Sequence, residues 1–161
     1  TKKVQFIFAD LKDVQFAPQS FDAVIFIEAL GLTSKKEELQ LFEKIYSWLK
    51  PNGKFILDSP NFVELKNSWT KEFPSGLARG VSNFDPITRV QDIQFYFTPK
   101  NEEEFGIYDP YDIEKGDVPG IRRYLYPEIE LAEVLKKVGF KTQKIDHYYE
   151  KNYFGLLAEK N

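Results

Sequence analysis

The sequence predicts an α/β fold in which strands alternate with a helix, and three observations carry that reading. Two short runs, Val4–Ala9 (VQFIFA) and Asp22–Glu28 (DAVIFIE), are mostly apolar and rich in β-branched and aromatic residues. That is how strands buried on both faces of a parallel sheet read. A helix with its own start and stop signals follows, and a third strand-like run, Lys54–Ser59 (KFILDS), follows the helix. Strand, helix, strand in that order implies a right-handed parallel crossover. With 161 residues, 42% of them hydrophobic, the chain has the size and apolar content of one globular domain.

Each element has a local reason. Asp10 closes the first run, and Pro18, Gln19 and Ser20 mark a surface turn before the second. Ser34 followed by Glu37 fits a capping box, in which hydroxyl and carboxylate satisfy orphan backbone N–H groups. Leu39, Phe42, Ile45, Tyr46 and Leu49 then recur at three- and four-residue spacing as one apolar stripe. Pro51-Asn52-Gly53 ends that helix, since Pro resists helix continuation and Asn-Gly turns tightly. Residues 61–125 lose the rhythm and are rich in Pro, Gly and aromatics. Within them Arg89–Thr98 (RVQDIQFYFT) alternates partly and predicts a strand of a small antiparallel lobe. The acidic run Glu102-Glu103-Glu104 reads as a solvated loop. Order returns at Tyr126. Pro127 suits a first helical turn, Leu131, Val134, Leu135 and Val138 form a stripe, and Gly139 is placed for a left-handed C-terminal cap. Lys136 and Lys137 favour the negative end of that helix's dipole. Lys141–Tyr149 and Tyr153–Glu159 read as a strand pair joined by a turn near Glu150-Lys151-Asn152.

Composition narrows the function classes. Lys and Arg number 22 against 25 Asp and Glu, a net charge of −3, which argues against a nucleic-acid-coating surface. Zero Cys removes disulfides, thiolate nucleophiles and Cys-ligated metal sites, and a single His leaves no His-cluster site, so no metal is expected. No apolar run approaches the roughly 18 residues that a membrane span needs, and the opening residues are not a signal peptide. Neither nucleic acid nor membrane is an expected partner, and the cytoplasm is the simplest compartment. The absence of Met, and a strand-like run almost directly after Thr1, read as a trimmed or partial sequence.

In an open α/β sheet, ligands sit outside the carboxyl ends of the strands. Three predicted strands end on polar groups: Asp10 after the first, Glu28 after the second, Asp58 and Ser59 after the third. Carboxylates there accept hydrogen bonds from ribose hydroxyls or an adenine amino group. The plainer reading of any one of them is turn or cap duty, but three along one sheet edge favour a ligand site.

These residues resemble the middle and end of a class I S-adenosylmethionine-dependent methyltransferase. FADLKDVQFAPQSFDAVIFIEALGL is similar to that family's Asp, short loop, Ser-Phe-Asp and apolar strand. ELQLFEKIYSWLKPNGKFILDSPN resembles its helix followed by Leu-Lys-Pro-Gly-Gly and the next strand, with Asn52 where Gly is commoner. RRYLYPEIELAEVLKKVGF resembles the helix that ends in Gly-Phe, ahead of an antiparallel terminal strand pair. The resemblance implies a Rossmann-like sheet of parallel strands with an antiparallel C-terminal pair, incomplete at its N-terminal side. It implies one partial domain over 1–161, with a substrate-covering insertion at 62–125. It further implies S-adenosylmethionine as cofactor and methyl transfer to a small-molecule substrate. Asp10 then matches the residue that receives the adenine amino group, with Leu11 packing on the ring. Phe26, Ile27 and Glu28 match the strand end beside the cofactor's methionyl and sulfonium portion. Asp22 and Phe21 read as structural. Two of the family's most diagnostic elements, the Gly-rich loop after its first strand and an acidic residue after its second, have no counterpart in this sequence: Gly31, Gly53, Gly76 and Gly80 form no G-x-G-x-x-G.

Methyl transfer from a sulfonium is an in-line displacement that depends chiefly on positioning, with a general base needed only where the acceptor must lose a proton. The candidate bases are His147, Glu28, Asp58 and Tyr124, none singled out, and His147 in a terminal strand suits a structural role as well. In the insertion, Trp69, Phe73, Phe84, Phe95, Tyr96, Phe97, Tyr108, Tyr111 and Tyr124 form either an acceptor pocket or the small core of an antiparallel lobe. Arg79, Arg89, Arg122 and Arg123 are able to grip an acidic group bidentately, and Arg123 with Tyr124 is the expected substrate-binding pair. The alternatives are a non-catalytic α/β module or degenerate methyltransferase fragment with an interaction role, and, more weakly, another nucleotide-binding α/β enzyme. Unpaired sheet edges in such a chain favour association into a homo-oligomer.

Overall fold

A computed structural model describes residues 4–61, 65, 68–74, 76–100, 120–145 and 153–161. The described elements run β1 (Phe21–Phe26), α1 (Lys35–Trp48), β2 (Leu49–Pro60), β3 (Ser68–Phe73), β4 (Gly76–Asp85), β5 (Val90–Pro99), β6 (Ile121–Tyr124), α2 (Glu128–Val138), β7 (Phe140–Ile145) and β8 (Tyr153–Lys160). They form two four-stranded sheets, ordered β1-β2-β8-β7 and β3-β4-β5-β6. In the first, β1 runs parallel to β2, whereas β8 is antiparallel to both β2 and β7. The α/β sheet with an antiparallel C-terminal pair is therefore as the sequence predicts. The second sheet is wholly antiparallel.

The capping box read for the start of α1 forms, while its buried face takes Leu41 and Trp48 with Phe42 and Ile45 in place of Leu39 and Tyr46. Ser34 Oγ accepts from Glu37 N at 3.3 Å while the Glu37 carboxylate accepts from Ser34 N at 3.0 Å, a closed capping box. The helix buries Leu41, Phe42, Ile45 and Trp48 against Phe55, Leu57, Leu156 and Ala158 of the first sheet and Leu131 and Leu135 of α2. Both helices thus cover one face of that sheet, and Phe55 at its middle lies 5.8 Å, ring centroid to ring centroid, from both Phe42 and Phe140, tilted against each. Helix α2 ends as read, with Gly139 at φ 118° and basic Lys136 and Lys137 in its last turn. Pro127 stands at its N-cap, one position before the first helical residue.

Four expectations change. Val4–Ala9 forms no strand: among the described residues it pairs with no neighbour, and Phe6 and Phe8 are 93% and 107% exposed. Strand propensity holds nothing without a ladder to join. The run Asp22–Glu28 does form a strand, but it is covered on one face only, since Ile25 on the side away from the helices is 67% exposed. Pro51-Asn52-Gly53 does not itself end α1. The helix stops at Trp48 with an extended Leu49 cap, and the three residues bulge within β2, Asn52 taking φ 62° as the register jumps from Phe21↔Leu49 to Ala23↔Lys54. Finally, the irregular middle holds β3, β4 and β6 besides the one expected strand at β5. The readings placed on His147, Tyr108, Tyr111, Glu102-Glu103-Glu104 and the turn at Glu150-Lys151-Asn152 lie outside the described residues.

Among the described residues, no helix is long and apolar enough to cross a membrane.

Candidate functional site

The loop after β1 is fixed by hydrogen bonds from three directions. Glu28 takes φ 55°, and its N–H donates to Asp58 Oδ1 of β2 at 2.6 Å, tying together the carboxyl ends of the two parallel strands. Gly31 donates its N–H to the Glu38 carboxylate in α1, and its carbonyl accepts from Tyr124 N of β6 at 2.9 Å. With φ 78° and Tyr124 O only 1.9 Å from where a Cβ would stand, Gly31 is a position only glycine fills. Glu38 is itself 3% exposed and also accepts from Tyr126 OH at 2.6 Å. Burial raises its carboxyl above the usual range, against the lowering effect of those two donors and of Lys35. Burial and the adjoining Glu38 push the Tyr126 hydroxyl well up.

Beyond that loop the two sheets face each other across a cleft of about 650 Å³. Glu28, Pro60 and Tyr153 line it from the first sheet, and Trp69, Gln91, Phe95 and Arg123 from the second. Arg123 is 9% exposed, and its Nε donates to Gln91 Oε1 at 2.8 Å while Gln91 Nε2 donates to Ser82 Oγ at 2.8 Å. Three neighbouring strands thereby orient one guanidinium. Burial holds the Tyr153 hydroxyl above its ordinary pKa, opposed by hydrogen bonding to Arg123 and reinforced by the charges of Glu28 and Asp58. Asp58 is fully buried, and beside it Ser59 Oγ is buried with no hydrogen-bond partner among the described residues.

The structure brings together Glu28, Asp58 and Arg123 of the residues singled out from sequence. Asp10 and Leu11 lie apart from the cleft, in an exposed turn in which Val14 and Asp13 donate to Asp10 O and Lys12 N donates to Asp10 Oδ1 at 2.9 Å. That turn sits beside the start of α1, where Lys12 Nζ is 3.9 Å from both Asp10 Oδ2 and Glu37 Oε1. Phe26 turns its ring to the helix side, 6.3 Å from Phe55, so only its backbone reaches the strand end, while Ile27 is solvent-exposed. Tyr124 does not line the cleft. Its hydroxyl meets Glu130 Oε2 at 3.0 Å, and Lys35 Nζ lies 3.8 Å over its ring. Lys35 (2.9 Å) and Arg89 (2.5 Å) pair with the same Glu130 carboxylate. Partial burial alone would raise the Glu130 pKa, but these three partners together hold it below the usual range.

Three residues of this region escape a sequence reading: Glu38, Gln91 and Tyr153. The one available signal is that Gln91 stands at an inward position of an alternating strand, where a polar side chain needs a partner. A second hollow of about 620 Å³ runs along α1 between Lys12, Glu37, Gln40 and Lys44, but it exposes its polar groups to water and encloses none. Among the described residues, no group of three metal-ligating side chains stands together.

Comparisons with known proteins agree with this architecture. The family model described as a methyltransferase domain matches residues 1–53. No curated protein matches the chain. Among solved structures, an S-adenosylmethionine-dependent methyltransferase from Clostridium acetobutylicum superposes with a TM-score of 0.74 at 15% identity, over 99% of this chain and 65% of that one. The CcbJ methyltransferase from Streptomyces caelestis gives 0.70 at 12% identity, over 96% and 67% respectively. CalS10, an amino pentose methyltransferase from Micromonospora echinaspora solved with S-adenosylmethionine bound, gives 0.63 at 12%, over 95% and 63%. The chain thus spans about two thirds of the length of the solved structures it matches. The methyltransferase-domain model thus accounts for residues 1–53, and the solved methyltransferases, at 12–15% identity, share the fold of the chain.

Proposed function

We propose that the protein transfers a methyl group from S-adenosylmethionine to a small-molecule acceptor held in the cleft between the two sheets. One observation carries the reading: the ends of parallel strands β1 and β2, tied at Glu28 and Asp58, open on a cleft closed from the other side by Arg123 and the aromatic wall of the second sheet. That is where an α/β sheet presents a ligand.

The residues present fit the cofactor along one side. The Asp10 turn and the exposed Glu28 carboxylate at a strand end are acceptors of the kind that adenine and ribose groups need, and Leu11 offers apolar surface beside Asp10. Residues 26–28 would flank the methionyl end. A Gly-rich backbone cradle is not among the groups this sequence supplies. When bound, the cofactor supplies an electrophilic methyl on a sulfonium. The chain's own part is positioning and desolvation: Asp58 fixes the Glu28 backbone, Arg123 orients an acceptor, and Trp69 and Phe95 exclude water. Tyr153, its hydroxyl pushed up by burial, stays protonated at neutral pH, and Glu28 is a carboxylate that lines the cleft.

Calorimetric titration with S-adenosylhomocysteine tests this reading. Saturable binding is expected, and Asp10→Ala should weaken it by about tenfold, the worth of one hydrogen bond of roughly 1.4 kcal/mol. An unchanged affinity in that variant removes Asp10 from the site, and no binding by the wild-type chain removes the cofactor reading.

A second reading, an α/β module that acts through association, is favoured by the outer edge of β1. Among the described residues that edge has no strand partner, and the same chain carries the uncovered, strand-prone Val4–Ala9.

A further inference from the structure

Arg123 is a cation buried in the wall of the cleft. It is 9% exposed, and among the described residues it enters no ion pair. Its sequence neighbour Arg122 is exposed and lies 3.7 Å from Asp92, so the contrast is within one dipeptide. Fully desolvated Arg side chains are rare unless paired, because the desolvation cost is recovered only through an opposite charge or a full set of acceptors. Here the Nε proton goes to Gln91, and Tyr153 takes one further contact. The forked end of a guanidinium matches the two oxygens of a carboxylate.

The surroundings narrow the ligand further. Glu28 and Asp58 bear electrostatically on Tyr153, the residue that Arg123 touches, and Lys71 also lines the cleft. Part of the wall is apolar and flat-sided: Trp69 and Phe95 lie 6.1 Å apart at 60°, with Leu32, Pro60 and Ile93 among the other lining residues. A volume of about 650 Å³ is that of a small-molecule site.

We propose that the cleft takes a ligand bearing one carboxylate on a flat apolar body, with the carboxylate seated on Arg123 and the body against Trp69 and Phe95. Resting on the methyl-transfer reading above, this ligand is the methyl acceptor. Gln91 and Ser82 are positioning residues that aim the guanidinium.

Titration of the nitrogen-15-labelled chain with benzoate, benzamide and benzylammonium, followed at the Arg123 Nε–H and Trp69 indole signals, tests it without need of turnover. Benzoate is expected to shift both signals saturably, with benzamide and benzylammonium at least tenfold weaker. Arg123→Gln should weaken benzoate at least tenfold, Arg123→Lys less, and Arg122→Gln not at all. Benzamide or benzylammonium binding as well as benzoate, or benzoate binding unchanged in Arg123→Gln, overturns the proposal. Should Arg123→Gln fail to fold, the three probes on the wild-type chain still decide. The S-adenosylhomocysteine titration separates the two layers. Benzoate binding without it upholds the carboxylate site and rejects methyl transfer, whereas cofactor binding without benzoate rejects only the carboxylate site.

Discussion

Glu38 shows how far a single side chain departs from its local pattern. In Lys35-Lys36-Glu37-Glu38 it reads as one more surface charge, yet it is 3% exposed because Gly31 N–H and Tyr126 OH converge on it from the β1 loop and from the approach to α2. Those partners lie 7 and 88 residues away, a distance over which no helical periodicity carries information. Its carboxyl is raised from the ordinary 4.5 chiefly by burial. A raised acid binds its proton longer when folded than when unfolded, so its contribution to stability falls as pH rises from about 4.5 and levels off above the folded value. Urea unfolding from pH 4 to 8 should therefore show a smaller loss of stability with rising pH in Glu38→Gln than in the wild type. Glu38→Ala, which strands both donors, should cost about 2–4 kcal/mol at neutral pH. Parallel pH profiles for Glu38→Gln and wild type would reject the assignment. Glu130 works in the opposite sense. Its depressed pKa adds stability above the ordinary 4.5 that is lost as pH falls through the folded value.

At the scale of elements, the legible parts are those whose signals are local. The capping box of α1, the Gly139 stop of α2 and the alternating run of β5 each complete their logic within a few residues, and each stands where the sequence puts it. Strands β3 and β4 do not, since Gly76, Gly80 and an exposed β3 face break any alternation, and their reason for existing is the ten-residue ladder of β4 with β5. Val4–Ala9 is the converse, a strong strand signal without a neighbour. The candidate site divides the same way. Glu28 and Asp58 follow from the rule for strand ends, whereas Gln91 and Tyr153 come to the cleft from distant strands. The join between the two sheets is narrow enough to test at one atom. Gly31 holds β6 through its carbonyl, and a methyl there would sit 1.9 Å from Tyr124 O. Gly31→Ala should destabilise by about 2 kcal/mol or more through left-handed strain and the lost hydrogen bond. It should also speed hydrogen exchange at the Tyr124 amide well beyond that at Leu156 of β8. An equal change at both amides would mean that the loop does not tether the second sheet.

For the whole molecule, the decisive feature is the lopsided first sheet. Both helices cover one face, and the other presents Ile25 of β1, at 67% exposure, next to Ile56 of β2 in register. Parallel sheets are ordinarily covered on both faces, because their strands are apolar on both. The β1 edge adds a row of backbone groups with no strand partner among the described residues, and Val4–Ala9 adds apolar side chains with no cover. A second copy carries the same edge and the same segment, so strand addition at β1 is the arrangement that the association reading proposes. Sedimentation of the chain over a wide concentration range should then show reversible self-association. Ile25→Lys sets a charge on the uncovered face at that edge, far from the helix-side core, and should shift the equilibrium towards monomer without lowering the unfolding midpoint. A wild-type chain that stays monomeric throughout, or an Ile25→Lys chain that associates equally well, would show that the open edge is tolerated in water and that the apolar face has some other occupant.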